Sequence, residues 1–228
     1  MLNVPTSHPF ENVDGLGTAI RLFESSPQAH VGLVYKGANS EPRILHFAEH
    51  LDVRDDAPPS GNYRWAQIAL NKPNRKVVAA LCTALAKRVG DESFEVPYGF
   101  KYTGDYFTPT AEYVGVGIGN GLTCATFILA IFRTFDIELL KVDEWEAREL
   151  SQEDFDFQRK QLDYLKSKYP KVAAAAGIHF GAPRYRPEEV VAGSICGQPP
   201  IGLKEAVRIG MKVLGALKKS YPGTIPSD

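Results

Sequence analysis

The stretch GNGLTCATFILAIF, residues 119–132, sets a glycine-rich run directly against a continuous apolar segment, with Cys124 at the junction. Glycine disfavours helix and the residues after it support one, so a helix is expected from about Leu122, with Cys124 in its first turn. The segment stops at Arg133 and is about half the roughly 20 residues that a membrane-spanning helix needs, so it reads as a core helix. A thiol in that place is either a small buried hydrophobe or a nucleophile whose thiolate is stabilised by the helix dipole and a nearby imidazole. In the second case Gly119 and Gly121 would let backbone approach a substrate closely, with amides near Cys124 facing a developing oxyanion.

Working outward, the imidazole is sought upstream. AIRLFES (19–25) and HVGLVYKG (30–37) read as two strands joined by a turn at SPQA (26–29), and His30 opens the second strand, where a rigid element would hold it as a base. In PRILHFAEHLDV (42–53), Ile44, His46, Ala48 and His50 alternate with Leu45, Phe47, Glu49 and Leu51, which places both histidines on one face of a strand. His46 is the candidate for orienting His30, with Glu49 and His50 as alternatives. The catalytic candidates are therefore Cys124, His30 and His46. His8, His179 and Cys196 lie in loop-like surroundings and receive no role.

The rest of the chain supplies a frame. A Pro-Pro-Ser-Gly loop at 58–61 precedes a further strand, YRWAQIAL (63–70), and Pro73 then starts a helix with Val77, Val78, Leu81, Leu85 and Val89 on its apolar face, ended by Gly90. Cys82 lies beside that stripe and reads as a buried hydrophobe. Residues 91–110 read as a long aromatic loop, and AEYVGVGI (111–118) as a strand entering the glycine run. Beyond Trp145 the composition changes. Ser151 with Asp154 marks a helix start, followed by a stripe of Phe155, Leu162 and Leu165, an alanine-rich stretch, the turn-like GAPRYRPEE (181–189), and a last helix carrying Leu203, Val207, Met211, Leu214 and Leu217. The division expected is a core over 1–150 and a helical extension over 151–228 packed on it.

Bulk properties exclude several classes. The 26 basic and 27 acidic residues leave a net charge of −1, with no like-charged run, so no electrostatic footprint for nucleic acid is present. Three cysteines without paired spacing argue against a disulfide framework. The first basic residue is Arg21, so the start of the chain lacks the charged region of a secretory signal; a cytoplasmic location, or export by a specialised system, is expected. His46 and His50 are spaced to suit zinc, but no Cys-x-x-Cys or His-Glu-x-x-His accompanies them, and no metal is assigned. The glycine series Gly115, Gly117, Gly119, Gly121 completes no Gly-x-Gly-x-x-Gly, because the last position falls on Asn120, Leu122 or Cys124.

These pieces, in this order, resemble the circularly permuted branch of the NlpC-type papain-like superfamily, which includes YiiX-like proteins and relatives of lecithin:retinol acyltransferase. IRLFESSPQAHVGLVYKG is similar to the family's opening strand, turn and histidine-bearing strand, and PRILHFAEHLDV to the strand carrying the third polar residue. YRWAQIALNKPNRKVVAALCTALA is similar to the following strand and helix, and GLTCATFILAIF to the nucleophile helix, so that about residues 15–135 are covered. The resemblance implies an α+β fold: a permuted papain-like core whose antiparallel sheet packs on the helix bearing the cysteine. It implies His30 as base, His46 as orienting residue and Cys124 as nucleophile, acting without a cofactor as a thiol hydrolase of the cysteine peptidase or amidase type. The implied substrates are peptides, isopeptides, cell-wall peptides or acyl lipids. Histidine at position 46 matches the acyltransferase relatives, whereas Thr123 departs from the asparagine that precedes their cysteine. Acyl transfer, and a non-catalytic module binding peptide or lipid, are the alternatives.

Overall fold

The computed structural model describes residues 2–23, 26–37, 41–58, 62–91, 94–115, 117 and 119–221. Five strands, β1 (Leu16–Phe23), β2 (Ser26–Lys36), β3 (Pro42–Glu49), β4 (Asp52–Asp56) and β5 (Arg64–Gln67), form one sheet in the order β4-β3-β2-β1-β5, antiparallel throughout. Seven α-helices are described: α1 (Lys72–Ala86), α2 (Cys124–Arg133), α3 (Asp143–Glu146), α4 (Gln152–Lys168), α5 (Pro170–Gly177), α6 (Pro187–Ile195) and α7 (Leu203–Lys219). The class is α+β. None of these helices is long and apolar enough to cross a membrane.

Alternation along the strands gives the sheet two different faces. Leu16, Ile20, Ala29, Val31, Leu33, Leu45 and Phe47 point to the face covered by α1, α2 and α6, and enter the main buried cluster. Ala19, Val34, Ile44 and Trp65 point the other way and are capped by Phe10 and Val13 from the N-terminal segment. His30 and His46 have the parity of Val34 and Ile44, and His30 lies beyond the end of the β2–β3 ladder, where it lines the cavity at the start of α2.

Several local expectations are corrected. SPQA is not the turn: β2 already begins at Ser26, with a register shift between Leu22↔Ala29 and Phe23↔Ser26. Residues 24 and 25 lie outside the described residues. PRILHFAEHLDV is two strands, because the chain reverses at His50 and Leu51, the latter with φ 59°, between the paired Glu49 and Asp52. Among the described residues of AEYVGVGI there is no strand, and a single bridge joins Tyr113 to Phe107. The aromatic loop stands as a loop over its described residues, and it fills core: Phe94, Tyr98, Phe100, Tyr106 and Phe107 are all buried. The Pro-Pro-Ser-Gly loop lies mostly outside the described residues.

In the last third, the turn-like GAPRYRPEE is irregular over 181–186 and runs into α6 at Pro187. Pro187 sits at its first turn, where a missing N–H costs nothing, and Val190, Val191, Ala192 and Ser194 are buried against β1 and β2. Ser194 bonds Thr18 at 3.3 Å. The buried face of α7 is Ala206, Gly210, Val213 and Leu217, rotated from the expected stripe, which leaves Met211 exposed. Small residues on that face let α6 come close: a Cβ at Gly210 would lie 3.3 Å from Glu188. Residues on both sides of position 150 share one buried cluster.

Candidate active site

The site begins with a break in the sheet. The β2–β3 ladder ends at Leu33↔Leu45, so Val31, two positions further along β2, pairs with Ile20 of β1 but with no residue of β3. The N-terminus of α2 lies against that opening, where the Val31 and Ala125 amides act to lower the Cys124 thiol. Thr123 caps the helix: its hydroxyl accepts from Thr126 N–H at 3.3 Å, and its own N–H donates to Thr126 Oγ1 at 2.8 Å. That reciprocal cap leaves the first helical amides aimed at the sulfur and the space beyond it.

Beside that opening, three side chains form a chain of hydrogen bonds. His30 Nε2 lies 2.9 Å from His46 Nδ1, with the rings nearly perpendicular at 84°, and His46 Nε2 lies 2.9 Å from Asp56 Oδ2. Gly32, between them on β2, makes the approach possible, because a Cβ there would be 2.9 Å from His46 Cβ. The carboxylate end sets the tautomers. Asp56 accepts, so His46 carries its proton on Nε2; its bare Nδ1 then accepts from His30 Nε2–H, and His30 Nδ1 is left as a free lone pair.

Electrostatics keep that lone pair free. Burial, reinforced by His46, Arg21 and Arg54, pushes His30 down to about 3. Burial also lowers His46, against the pull of Asp56. Arg21, paired with His30 across β1 and β2, has its guanidinium 5.1 Å from the Phe23 ring and 5.2 Å from the Tyr63 ring, and its buried Nε has no hydrogen-bond partner. The Cys124 thiol is raised by burial, while the Val31 and Ala125 amides and the charge of Arg184 act the other way. The resting pair is therefore a neutral thiol and a neutral imidazole, not the stabilised thiolate expected from the helix start alone. The structure has no direct thiol–imidazole hydrogen bond, and such contacts are often looser before substrate binds.

A consequence for stability has a definite sign. His30 binds no proton in the folded chain above about pH 3 but binds one in the unfolded chain below its ordinary value of 6.5, so folding is progressively disfavoured as pH falls between those limits. The slope is about 1.4 kcal/mol per pH unit, or about 2 kcal/mol between pH 6.5 and 5. His30→Gln is expected to flatten that part of the curve in urea unfolding; parallel curves for the two proteins would contradict the buried neutral state.

Cys124 and His30 line the same cavity, of about 120 Å³, walled by Tyr98 and Phe100 from the aromatic loop, Phe157 and Gln161 from α4, and Arg184 and Tyr185 ahead of α6. The other sequence candidates face elsewhere. Glu49 accepts from Tyr164 and pairs with Lys168 at 3.7 Å, and His50 Nδ1 accepts from Tyr98 N–H at 3.1 Å. His46 and His50 thus diverge, and among the described residues no three of His, Cys, Asp and Glu converge as metal ligands would. Gly119 and Gly121 serve the fold rather than a substrate: a Cβ would lie 2.1 Å from the Ala175 carbonyl oxygen at the first and 2.5 Å from the Pro97 carbonyl oxygen at the second. Cys82 is fully buried on the inner face of α1, and Cys196 is half-buried at the end of α6. His8 is exposed.

Two residues of the site escape a reading of the sequence. Asp56 follows from the β3–β4 hairpin, whose register sets it opposite Ile44 and diagonal to His46; the signal was the Glu49 to Asp52 reversal, hidden by unbroken alternation. Arg184 reaches the cavity from more than fifty residues beyond the nucleophile, and nothing local marks it. Comparison with protein-family models, curated proteins and solved structures returns no match to this chain.

Proposed function

We propose that this chain is a thiol-dependent hydrolase of amides or esters, built on a permuted papain-like arrangement, with Cys124 as nucleophile and His30 as base. The observation that carries the reading is the His30–His46–Asp56 hydrogen-bonded chain, whose His30 lines the same cavity as the Cys124 thiol at a helix N-terminus. Because both groups rest neutral, the thiol proton passes to His30 Nδ1 as sulfur attacks the carbonyl carbon, and the pair charges only in the transition state. The amides at the start of α2 receive the oxyanion. Collapse expels the leaving group, protonated by His30, and leaves a thioester on Cys124 that water then hydrolyses. His46 holds the productive tautomer, and Asp56 holds His46. No step calls on a cofactor.

The test is direct observation of the thioester. Incubation with an activated acyl ester, followed by acid quench and peptide mass spectrometry, is expected to place one acyl group on the Cys124 peptide, decaying with time. Absence of that adduct while the fold is intact would sink the reading. A second reading, a binding module of the same shape without turnover, is favoured by the missing thiol–imidazole contact; it predicts ligand binding with no adduct.

A further inference from the structure

The cavity is electrically one-sided. Among the described residues lining it there is one cation, Arg184, and no Asp or Glu. The positive end of α2 opens onto the same space. Arg184 is a fixed group rather than a solvated one: its side chain is 9% exposed, and its guanidinium lies 3.9 Å from the Phe157 ring centroid. Asp154, itself 1% exposed, holds it by a single contact, Nη1 to Oδ1 at 3.3 Å, while the same oxygen also receives Arg186 Nη2 at 3.0 Å. The other Asp154 oxygen is taken by Ser151 N–H and hydroxyl. One buried carboxylate is thus shared by two guanidinium groups, and the exposed Glu153 approaches each only at 3.7–3.8 Å. Nε and Nη2 of Arg184 have no ion-pair partner among the described residues.

From this we infer that Arg184 determines specificity by receiving a carboxylate of the substrate, so that the compounds turned over are acyl derivatives bearing a carboxylate close to the scissile carbonyl. The inference rests on Cys124 being the reacting group in this cavity. A planar guanidinium with one edge anchored on Asp154 and another edge open matches a planar carboxylate by paired N–H···O bonds. The aromatic and glutamine walls, Tyr98, Phe100, Phe157 and Gln161, suit the remainder of a small organic acid and supply no competing anion.

Two alkylating reagents that differ only in charge provide the test. Iodoacetate and iodoacetamide both react by displacement: the Cys124 sulfur forms a bond to the methylene carbon, iodide leaves with the electron pair, and the thiol proton is lost to base. Iodoacetate carries its carboxylate one bond from the reacting carbon. The ratio of iodoacetate to iodoacetamide rates at Cys124, read by peptide mass spectrometry at pH 9, is expected to exceed the ratio for free cysteine by roughly tenfold. High salt should shrink that excess in the wild type, a measurement that needs no variant. Arg184→Gln is expected to bring the ratio to that of free cysteine, and Arg184→Lys to keep part of the excess. A wild-type ratio at or below that of free cysteine overturns the proposal, as does an excess that survives Arg184→Gln, and so does a folded Cys124 that neither reagent reaches. The hydrolase reading fails separately: a charge preference that depends on Arg184, combined with no acyl adduct from any ester, keeps the anion site and removes the chemistry.

Discussion

His30→Ala is expected to lower the rate of Cys124 acylation by roughly 10²- to 10⁴-fold, the range of a positioned general base. The size follows from the resting charges. An ion pair would already hold a thiolate, and removing its base would mainly shift the pH at which the thiol reacts. Here burial raises the thiol and pushes the imidazole to about 3, so without His30 Nδ1 there is no acceptor for the proton at the moment of attack. The pH profile distinguishes these cases: the variant should recover activity only as pH rises into the range where a buried thiol ionises unaided. Added imidazole should restore part of the rate by entering the space the ring vacates, which a merely structural role for His30 would not allow. His46→Phe should fall between wild type and His30→Ala, because it frees the tautomer without removing the base. Asp56, whose side chain is 55% exposed, should matter less than His46. Wild-type rates in His30→Ala would remove the mechanism.

Asp154→Ala is expected to cost about 3–5 kcal/mol of folding stability, the penalty for leaving a buried charge unpaired. Burial opposes ionisation of Asp154, yet the bonds from Ser151 and the charge of Arg186 hold its carboxyl below the usual range. It joins three pieces of chain at once: the N-cap of α4 through Ser151, the cavity wall through Arg184, and the approach to α6 through Arg186. Arg184 and Arg186 would both lose their buried counter-charge. Against a typical total of 5–15 kcal/mol, such a loss is large enough to read as a clear drop in urea midpoint. A change below about 1 kcal/mol would mean that the cluster is solvated and that Arg184 is not held in place. The same substitution should also loosen the cavity wall, so the charge preference at Cys124 should fall even under conditions where the variant remains folded.

Local chemistry made much of this chain legible. The glycine-to-apolar switch before Cys124 places the start of α2, because Thr123 can cap only what begins at the next residue. Pro73 and the Val78, Leu81, Leu85 spacing place α1 in the same way. Alternation correctly assigns His46 and Ile44 to one face, and it fails four residues later, since a reversal closed by Leu51 at positive φ continues the same polar pattern. The α7 stripe fails for a different reason. Hydrophobicity points to Met211, but the tight approach of α6 selects Gly210 and Ala206 alongside Val213 and Leu217, and Met211 is turned outward.

What the sequence determined by itself is therefore the set of short-range facts: the helix that begins at Cys124, the strand that carries His30, and the face that carries His46, because each depends on neighbours within a few residues. Only the tertiary structure decided what those groups can do. The end of the β2–β3 ladder opens the place where α2 starts beside Val31, the hairpin register brings Asp56 to His46, and the Asp154 cluster brings Arg184 to the cavity. Each of those contacts joins residues that are distant along the chain or separated by a turn. Their energies come from desolvation and charge pairing in a space that exists only once the sheet and helices have packed.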